Sequence, residues 1–410
     1  MTTQREFDVV VYGATSFVGQ ILSQYLAHRH GNTGTSLRWA MAGRSASKLA
    51  ELQAQLGDAA ADIPLIVADA SDSSSLAAMC ARTNVVATTV GPYALYGETV
   101  LAECVAAGIG YVDLTGEVQW IAQMLGKYED QARQSGARIV HCCGFDSIPS
   151  DLGTQFTQQQ FSERYGHPAK QVKLRVKALK GAFSGGTVAS LVNAVKEMVA
   201  DPELRKIIKN PYAICPPDQQ LRTRQPNVTG AVFDADADAW TAPFVMAAIN
   251  ARIVLRSHAL AGRPWGDDFL YDEATLTGKG FAGRLAALAM AGGLGAFMAG
   301  AALPPTRWLM EKTFLPAPGE GPSPEAQAAG YYDMRFYAKD ADGNTLVTKV
   351  TGDRDPGYGS TAKMLGEAAA CLAQDVPDLS GGFWTPSTAM GDALRPRLIA
   401  HAGLRFEVLG

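Results

Sequence analysis

The chain has 410 residues, 47% of them hydrophobic, and a formal net charge of −4 at pH 7. A chain of this length buries large hydrophobic cores and is expected to divide into two domains. The negative charge gives no electrostatic basis for binding nucleic acid, so a nucleic-acid partner is not expected.

The cysteines and histidines show no spacing typical of a metal site. There are six of each, and none of the cysteines forms a Cys-x-x-Cys pair. We therefore interpret the cysteines as reduced thiols and expect no metal. Residues 1–8 carry Arg5, Glu6 and Asp8 and lead directly into an apolar run, without the apolar segment of a secretory signal. This pattern predicts a cytoplasmic enzyme.

Residues 9–19 predict a strand, a glycine-bearing turn and a helix, which is a dinucleotide-binding pattern. Gly13 allows the tight turn, and Gly19 lets the helix approach the strand. The N–H groups at the start of the helix, together with its dipole, can receive a pyrophosphate. Ser16 stands where a third glycine is usual. A βα turn without a ligand explains the same residues and remains an alternative. The predicted cofactor-binding residues here are Gly13, Ala14, Thr15, Ser16, Phe17, Val18 and Gly19.

The second predicted strand begins at Leu37, and its end indicates which cofactor is bound. An acidic residue there would hold the ribose hydroxyl of NAD, but the chain has Arg44 and Ser45, with Lys48 one helical turn further. This set suits a 2′-phosphate. Two charge-assisted contacts of ~1.5–3 kcal/mol each would favour NADPH over NADH by roughly a hundredfold or more. The alternative is a solvated, basic helix start.

The third and fourth predicted strands also end in residues that suit a dinucleotide. Residues 63–68 form the third strand, which ends at Asp69, where a carboxylate is placed to meet the adenine end of the cofactor. Residues 84–90 form the fourth strand, which breaks at Gly91 and Pro92. In a doubly wound sheet this loop lies at the carboxyl edge, beside the nicotinamide.

Two further predicted strands, 110–113 and 138–142, run into polar loops that carry Glu117 and Asp146. Apolar runs alternate with helical patterns from residue 9 to about 150, as in a parallel sheet built from βα units. We therefore predict an α/β fold, with an NADP-binding Rossmann-type parallel sheet in residues 1–150.

Several longer motifs follow one another in a single order through nearly the whole chain. They are Gly13-Ala14-Thr15, Ala42-Gly43-Arg44, Gly91-Pro92-Tyr93, Tyr96-Gly97, Tyr111 to Glu117, Gly144 to Asp151, Ser184 to Thr187, Pro318 to Ser323 and Thr385 to Gly391. Together they resemble the saccharopine dehydrogenase-like oxidoreductases, and within them the bacterial trans-acting enoyl reductase branch. Ser16 departs from this pattern, because relatives commonly carry glycine there.

Residues 151–355 predict a second domain of mixed α+β structure. A period-two strand at 171–179 precedes a Ser-Gly-Gly-Thr turn at 184–187, which opens a helix to about 200. That helix start either receives a substrate carbonyl or carboxylate or is simply capped. Strands at 331–338 and 345–351 predict an antiparallel hairpin. The C-terminal segment, 356–410, is expected to pack back on the first domain.

Residues 285–303 form an uncharged stretch that is rich in alanine and glycine. Its length meets the lower limit for a membrane span, although alanine and glycine contribute little transfer free energy. Three interpretations stay open: a buried or interface helix, a membrane-surface element, and a true span. The proline-rich loop at 316–324 is expected to be an exposed connection.

The leading hypothesis is hydride transfer from NADPH to an activated carbon–carbon double bond, with a proton added to the neighbouring carbon. The candidate catalytic residues are Tyr93, Tyr96 and Asp146, which follow the strand ends expected to lie near the nicotinamide. The resemblance implies a fatty-acyl or polyketide-type substrate, carried on a synthase, and a place in lipid or glycolipid synthesis. An apolar substrate is compatible with work at the inner face of the plasma membrane.

Two other functions remain open. A saccharopine dehydrogenase-like enzyme acting on a C–N bond would need converging arginines for the carboxylates of an amino-acid adduct. The second domain offers four candidates: Arg175, Arg252, Arg256 and Arg263. A lipid-associated protein that binds NADP(H) without turnover is the other alternative. Helix faces of small residues also permit a homodimer.

Overall fold

The computed structural model describes residues 5–31, 37–181, 192–193, 195–196, 198, 200, 201–219, 221–313 and 321–409. The chain divides into two compact units. The described residues of unit 1 lie within Met1–Phe145, Gly319–Gly321 and Gly357–Ala402. Those of unit 2 lie within Asp146–Pro318, Pro322–Pro356 and Gly403–Gly410.

Unit 1 contains a seven-stranded parallel sheet. Numbered along the whole chain, its strands are β1 (Phe7–Tyr12), β2 (Trp39–Gly43), β3 (Leu65–Val67), β4 (Thr83–Thr88), β5 (Gly110–Val112), β6 (Arg138–Val140) and β13 (Gly382–Trp384). Their order is β13-β6-β5-β4-β1-β2-β3. Val9, Val10 and Val11 of β1 are all buried, because a central parallel strand is covered on both faces. The predicted α/β class is confirmed.

The helices of unit 1 follow its strands. They are α1 (Phe17–His30), α2 (Ala46–Leu56), α3 (Ser73–Cys80), α4 (Tyr93–Ala107), α5 (Val118–Ser135), α12 (Thr361–Gln374) and α13 (Pro386–His401). All six predicted strands of this sheet are present, with ends that differ by a few residues. The seventh strand, β13, pairs in parallel with β6 and comes from the C-terminal part of the chain.

Unit 2 contains a mixed seven-stranded sheet. Its strands are β7 (Gln171–Lys180), β8 (Val232–Asp234), β9 (Ala239–Pro243), β10 (Leu270–Gly278), β11 (Tyr331–Lys339), β12 (Thr345–Gly352) and β14 (Leu404–Val408). Their order is β14-β12-β11-β7-β10-β9-β8, and only β7 and β10 pair in parallel. The predicted strand at 171–179 and the predicted hairpin are confirmed.

The hairpin of β11 and β12 shows why its sequence alternates. Met334 and Phe336 are fully buried, while the residues between them are partly exposed, so one face of the hairpin covers the core. In the connecting turn, Asp340 accepts hydrogen bonds from the backbone N–H groups of Asp342 and Asn344, both 2.9 Å. The predicted C-terminal segment, 356–410, is divided between the units, because β14 pairs with β12 of unit 2.

The described helices of unit 2 are α6 (Ile148–Tyr165), α7 (Pro202–Lys209), α8 (Ala247–Leu260), α9 (Gly280–Ala302), α10 (Pro304–Thr313) and α11 (Pro324–Ala328). The uncharged stretch at 285–303 falls mainly in α9. By length and composition alone α9 could cross a membrane, and only 11% of its most apolar window is buried. The interpretation of this stretch as a helix buried within the chain is therefore wrong.

Candidate functional site

The turn between β1 and α1 needs glycine at both predicted positions. Gly13 has φ +86°, and a Cβ there would lie 2.8 Å from Thr89 Oγ1. A Cβ on Gly19 would lie 2.1 Å from the carbonyl oxygen of Gly13. The first glycine therefore permits the turn and the second permits the close approach of α1 to β1.

Ser16 is the N-cap of α1. Its Oγ accepts a hydrogen bond of 3.0 Å from the backbone N–H of Gly19 and lies 2.9 Å from Thr89 Oγ1. The Thr89 hydroxyl in turn donates to the carbonyl oxygen of Gly13, at 2.9 Å. These bonds join the turn, the helix start and the end of β4.

The other four predicted residues of this turn lie between the two glycines or at the helix start. Ala14 is fully buried, and its N–H donates to the Ala42 carbonyl at 3.0 Å. The Phe17 ring packs edge-on against Tyr358, with centroids 4.8 Å apart. Thr15 and Val18 are half-buried. The structure thus brings the whole predicted pyrophosphate-binding turn together.

The basic residues after β2 are exposed. The Ser45 hydroxyl oxygen caps α2 by accepting a bond of 3.3 Å from the N–H of Lys48. Within the described residues, no ion pair engages Arg44 or Lys48. Their charges therefore remain available to an anion at the helix start. The pyrophosphate turn and this basic pair, with no acid at the end of β2, fit NADP(H).

Asp69 follows β3 and organises its own turn. Its Oδ1 accepts bonds from the backbone N–H and the hydroxyl of Ser71, at 2.9 and 2.7 Å. These bonds, with a further contribution from the nearby charge of Arg44, lower the pKa of the Asp69 carboxyl. Asp69 is thus an anion beside the predicted cofactor residues. Its contact with an adenine ring stays a prediction.

The loop after β4 places Gly91 and Pro92 before α4, with Pro92 as the N-cap residue. Tyr93 is buried, and its hydroxyl donates to the Thr88 carbonyl at 3.1 Å and accepts from the Leu114 N–H at 3.0 Å. Burial raises the Tyr93 pKa well above its ordinary value. Tyr96, one turn further along α4, is 49% exposed.

Glu117 closes the N-terminus of α4. Its two carboxylate oxygens accept hydrogen bonds from the backbone N–H groups of Tyr93 and Ala94, at 3.0 and 2.9 Å. From the sequence, Glu117 has two possible roles, orienting substrate or stabilising its own loop. The structure gives it a structural role, because a buried carboxylate at a helix N-terminus satisfies two backbone donors and complements the helix dipole.

A buried acid–histidine pair joins the ends of β5 and β6. His141 Nδ1 lies 2.6 Å from Asp113 Oδ2, and Asp113 Oδ1 accepts the N–H of Cys142 at 3.0 Å. The His141 ring packs edge-on against Trp120, with centroids 5.2 Å apart. The sequence analysis did not single out Asp113. The signal that could have found the pair is its position, because each residue directly follows one of two adjacent parallel strands.

Asp146 is the first residue of unit 2 and follows the loop after β6. Burial raises the pKa of its carboxyl from 3.8 to about 7. A carboxyl with such a pKa is partly protonated at neutral pH, so it can donate a proton.

The four arginines considered for a carboxylate-rich substrate already have partners in unit 2. Arg175 is buried between Asp234 and Asp272, with each ion pair at 2.6 Å. Arg263 pairs with Asp267 at 2.8 Å. The other two donate to backbone carbonyls: Arg252 to Ile208, Asn210 and Ala248, and Arg256 to Ile214.

A second carboxyl of unit 2 with a raised pKa was not found from the sequence. Glu273 of β10 accepts hydrogen bonds from the Tyr271 hydroxyl at 2.7 Å and from Asn250 Nδ2 at 2.9 Å. Burial raises its pKa from 4.5 to about 7 despite these bonds. This carboxyl stabilises a buried polar network between β10 and α8.

Two predicted features cannot be placed. The Ser184 to Thr187 turn lies outside the described residues, as does most of the proline-rich loop at 316–324.

One cluster, His167, Asp340 and Asp342, brings three potential ligand atoms within 4.8 Å of one another. Both oxygens of Asp340 already accept hydrogen bonds within the turn, so we assign no metal there.

Comparisons with known proteins agree with this geometry. Residues 9–140 match the family described as "Saccharopine dehydrogenase NADP binding domain". A candidate trans-acting enoyl reductase of Mycobacterium tuberculosis is 40% identical over 416 residues, which cover 99% of this chain and 98% of that protein. A trans-acting enoyl reductase of Mycobacterium ulcerans is 37% identical over 418 residues, covering 97% and 96%.

Among solved structures, saccharopine dehydrogenase from Saccharomyces cerevisiae matches with a TM-score of 0.53 and 15% identity, over 98% of this chain and all of that chain. This likeness concerns the fold. The NADP-binding turn and the full-length relatives show that the chain belongs to the saccharopine dehydrogenase-like oxidoreductases, in the trans-acting enoyl reductase branch.

Proposed function

We propose that this NADP-dependent oxidoreductase reduces the carbon–carbon double bond of an enoyl or polyketide-type acyl intermediate in lipid or glycolipid synthesis. The observation that carries the proposal is the 37–40% identity, over nearly the entire length, with proteins named as trans-acting enoyl reductases.

The proposed cofactor contacts divide by chemistry. The turn from Gly13 to Gly19 binds the pyrophosphate through backbone N–H groups. Those of Gly13, Ala14, Ser16 and Gly19 already donate hydrogen bonds within the protein, so the proposed donors are the N–H groups of Thr15, Phe17 and Val18. Arg44, Ser45 and Lys48 bind the 2′-phosphate. The remaining predicted contacts are Asp69 at the adenine end and Gly91 with Pro92 at the nicotinamide.

When bound, NADPH would supply the hydride for the β-carbon and would itself be oxidised to NADP⁺. The protein must then deliver one proton to the α-carbon, so that the double bond becomes a single bond. We propose Asp146 as the first candidate donor, because its partly buried carboxyl has a pKa of about 7. Tyr96 is the second candidate because its side chain is partly exposed. Tyr93 ranks third, because its hydroxyl proton is already donated to the Thr88 carbonyl.

The arginines of unit 2 support an apolar substrate over an amino-acid adduct. A substrate with several carboxylates needs cations whose own counter-charges are absent. Arg175 is instead neutralised by two buried aspartates, and Arg252 and Arg256 donate to backbone carbonyls. Releasing these groups would leave buried carboxylates and carbonyls without partners, which opposes the C–N oxidoreductase alternative.

The proposed partners follow from the substrate class. The acyl chain is expected to arrive on a carrier, and the enzyme is expected to work in the cytoplasm at the inner face of the plasma membrane. A homodimer is compatible with the small-residue helix faces. Neither nucleic acid nor a metal is part of the proposal.

The test is turnover of NADPH deuterated on its reactive carbon, with three substrate panels: enoyl thioesters, saturated acyl thioesters and imine adducts formed from amino acids and oxo acids. We expect deuterium in the product of the enoyl panel alone, detected by mass spectrometry, with loss of NADPH fluorescence. Turnover of adducts alone would overturn the proposal in favour of C–N chemistry. Tight NADPH binding with no transfer to any panel would favour the non-catalytic alternative.

A further inference from the structure

We propose that the outer face of α9, together with the start of α10, binds the surface of an anionic lipid bilayer. The large apolar side chains there are exposed to an unusual degree: Phe281 is 79%, Leu285 58% and Leu288 52% exposed, and Trp308 of α10 is 57% exposed. Exposure of several large apolar side chains on one helix marks an interaction surface rather than ordinary protein surface.

Three of the exposed side chains form one stripe along the helix, while Met290, which is 47% exposed, lies on another face. Phe281, Leu285 and Leu288 follow at intervals of four and three residues, so they share a face. Gly283 and Ala287 lie on the opposite face and are buried. A Cβ on Gly283 would lie 2.2 Å from the carbonyl oxygen of Gly278, which shows how closely the inner face approaches the end of β10. The first half of the helix is thus held by small residues and presents three large apolar ones outward, whereas Phe297 and Met298 further along pack against Val192 and Val195.

Basic residues lie at the start of α9, next to this stripe, and beyond the end of α9 in α10; of these, Lys279 already pairs with Asp238. No charged residue occurs between Arg284 and Arg307, and the segment from Lys279 to Lys312 carries four basic residues and one acidic residue. The guanidinium of Arg284 is positioned over the Trp240 ring, 5.3 Å from its centroid. An apolar stripe with Arg284 beside it, followed by Arg307 and Trp308 on the next helix, is complementary to acyl chains beneath anionic headgroups.

The sheet topology favours docking on the surface over spanning the bilayer. β10 precedes α9, β11 follows α10, and both strands pair with β7. If α9 crossed the membrane, residues 304–330 would have to cross back to reach the same sheet. That segment contains five charged residues and six prolines, which are unsuited to the hydrocarbon core. The helix therefore lies along one side of the bilayer.

The first measurement is co-sedimentation of the full chain with two kinds of vesicle, phosphatidylcholine alone and phosphatidylcholine mixed with phosphatidylglycerol. We expect binding to the mixed vesicles and at least tenfold weaker binding by Leu288→Glu. The matched control is Ile399→Glu, on α13 of unit 1, where the native side chain is 49% exposed. It should bind like the wild type. Arg307→Gln should weaken binding to the anionic vesicles by about fivefold.

NADPH titration of each variant serves as the test of folding. Comparing vesicle binding with enoyl turnover separates this inference from the proposed reaction. Vesicle binding without turnover would support the lipid-binding surface and contradict the enoyl substrate, whereas turnover without vesicle binding would support the substrate and contradict the lipid-binding surface. Absence of vesicle binding, or equal binding by the wild type and Leu288→Glu, overturns the inference. If instead light scattering shows that Leu288→Glu converts a dimer to a monomer while vesicles bind neither form, the stripe is an interface between two copies.

Discussion

The Ser16 hydroxyl oxygen accepts a hydrogen bond of 3.0 Å from the backbone N–H of Gly19. This relationship accounts for serine where a third glycine is usual in the dinucleotide turn. Ser16 has φ −70° and ψ 163°, an extended conformation that any residue adopts, so glycine is not required there. The left-handed conformation falls on Gly13 instead.

The cap predicts an unusual order of substitution effects. Ser16→Ala removes the acceptor and should lower the free energy of unfolding by about 1 kcal/mol, whereas Ser16→Gly should cost only a few tenths. Urea denaturation of the three proteins measures both differences. Equal losses for alanine and glycine would show that the cap contributes nothing.

Arg44→Ala should weaken NADPH binding by about tenfold to a hundredfold, because one charge-assisted contact of ~1.5–3 kcal/mol is lost. NADH affinity should stay unchanged, since NADH lacks the 2′-phosphate. Fluorescence titration with both cofactors measures the effect. Arg133→Ala is a suitable control, because Arg133 is an exposed arginine on α5 paired with Glu129. An equal loss of NADH affinity in Arg44→Ala would contradict the assignment.

Asp146 predicts the pH dependence of turnover. Its pKa of about 7 makes the protonated acid scarcer as pH rises, so kcat/KM should be level below pH ~6 and fall about tenfold per unit above pH ~8. Asp146→Asn should lower kcat/KM and remove this descending limb, with NADPH affinity retained. An unchanged limb in the variant would transfer the proton-donor role to another group, with Tyr96 the next to test.

Glu273 predicts how stability changes with pH. Burial raises its pKa from 4.5 to about 7, so between these values the folded protein keeps a proton that the unfolded chain releases. This group's contribution to stability is therefore present below pH ~4.5 and lost as pH rises through about 7, by about 3 kcal/mol. Glu273→Gln has no such proton. The difference in unfolding free energy between wild type and variant should shrink by that amount over this range, as urea titrations at several pH values would show. A difference independent of pH would mean that Glu273 stays charged.

Much of unit 1 could be predicted because local patterns determine it. Apolar runs followed by glycine or polar residues marked six of its strands, and parallel pairing then brought their carboxyl ends together. The exposed basic residues after β2 were equally visible, since Arg44 and Lys48 need no tertiary partner to be recognised as cations.

Other features depend on residues far apart in the chain. The bonds from Glu117 to the start of α4 and the pairing of Asp113 with His141 exist only once separate strands are aligned. The strand β13 is as short as β3, β5 and β6, but it lies between Gly381 and the Thr385-Pro386 pair, so no longer apolar run marked it in the sequence. The exposure of the large side chains of α9 could not be predicted either, because an uncharged helix sequence does not show which of its faces packs against the rest of the protein.

The pairing of β13 with β6 has a consequence for biosynthesis. Residues 9–140 match a family domain, yet the sheet they form is completed by a strand more than two hundred residues later, and α12 and α13 belong to the same unit. During translation, nearly the whole polypeptide must therefore be synthesised before the open edge of the unit 1 sheet is paired. Such long sequence separation between paired strands slows folding, and the unpaired edge of β6 stays exposed until β13 has been synthesised. A fragment ending near residue 145 is expected to aggregate, and expression of the intact chain should benefit from chaperones that shield that edge during translation.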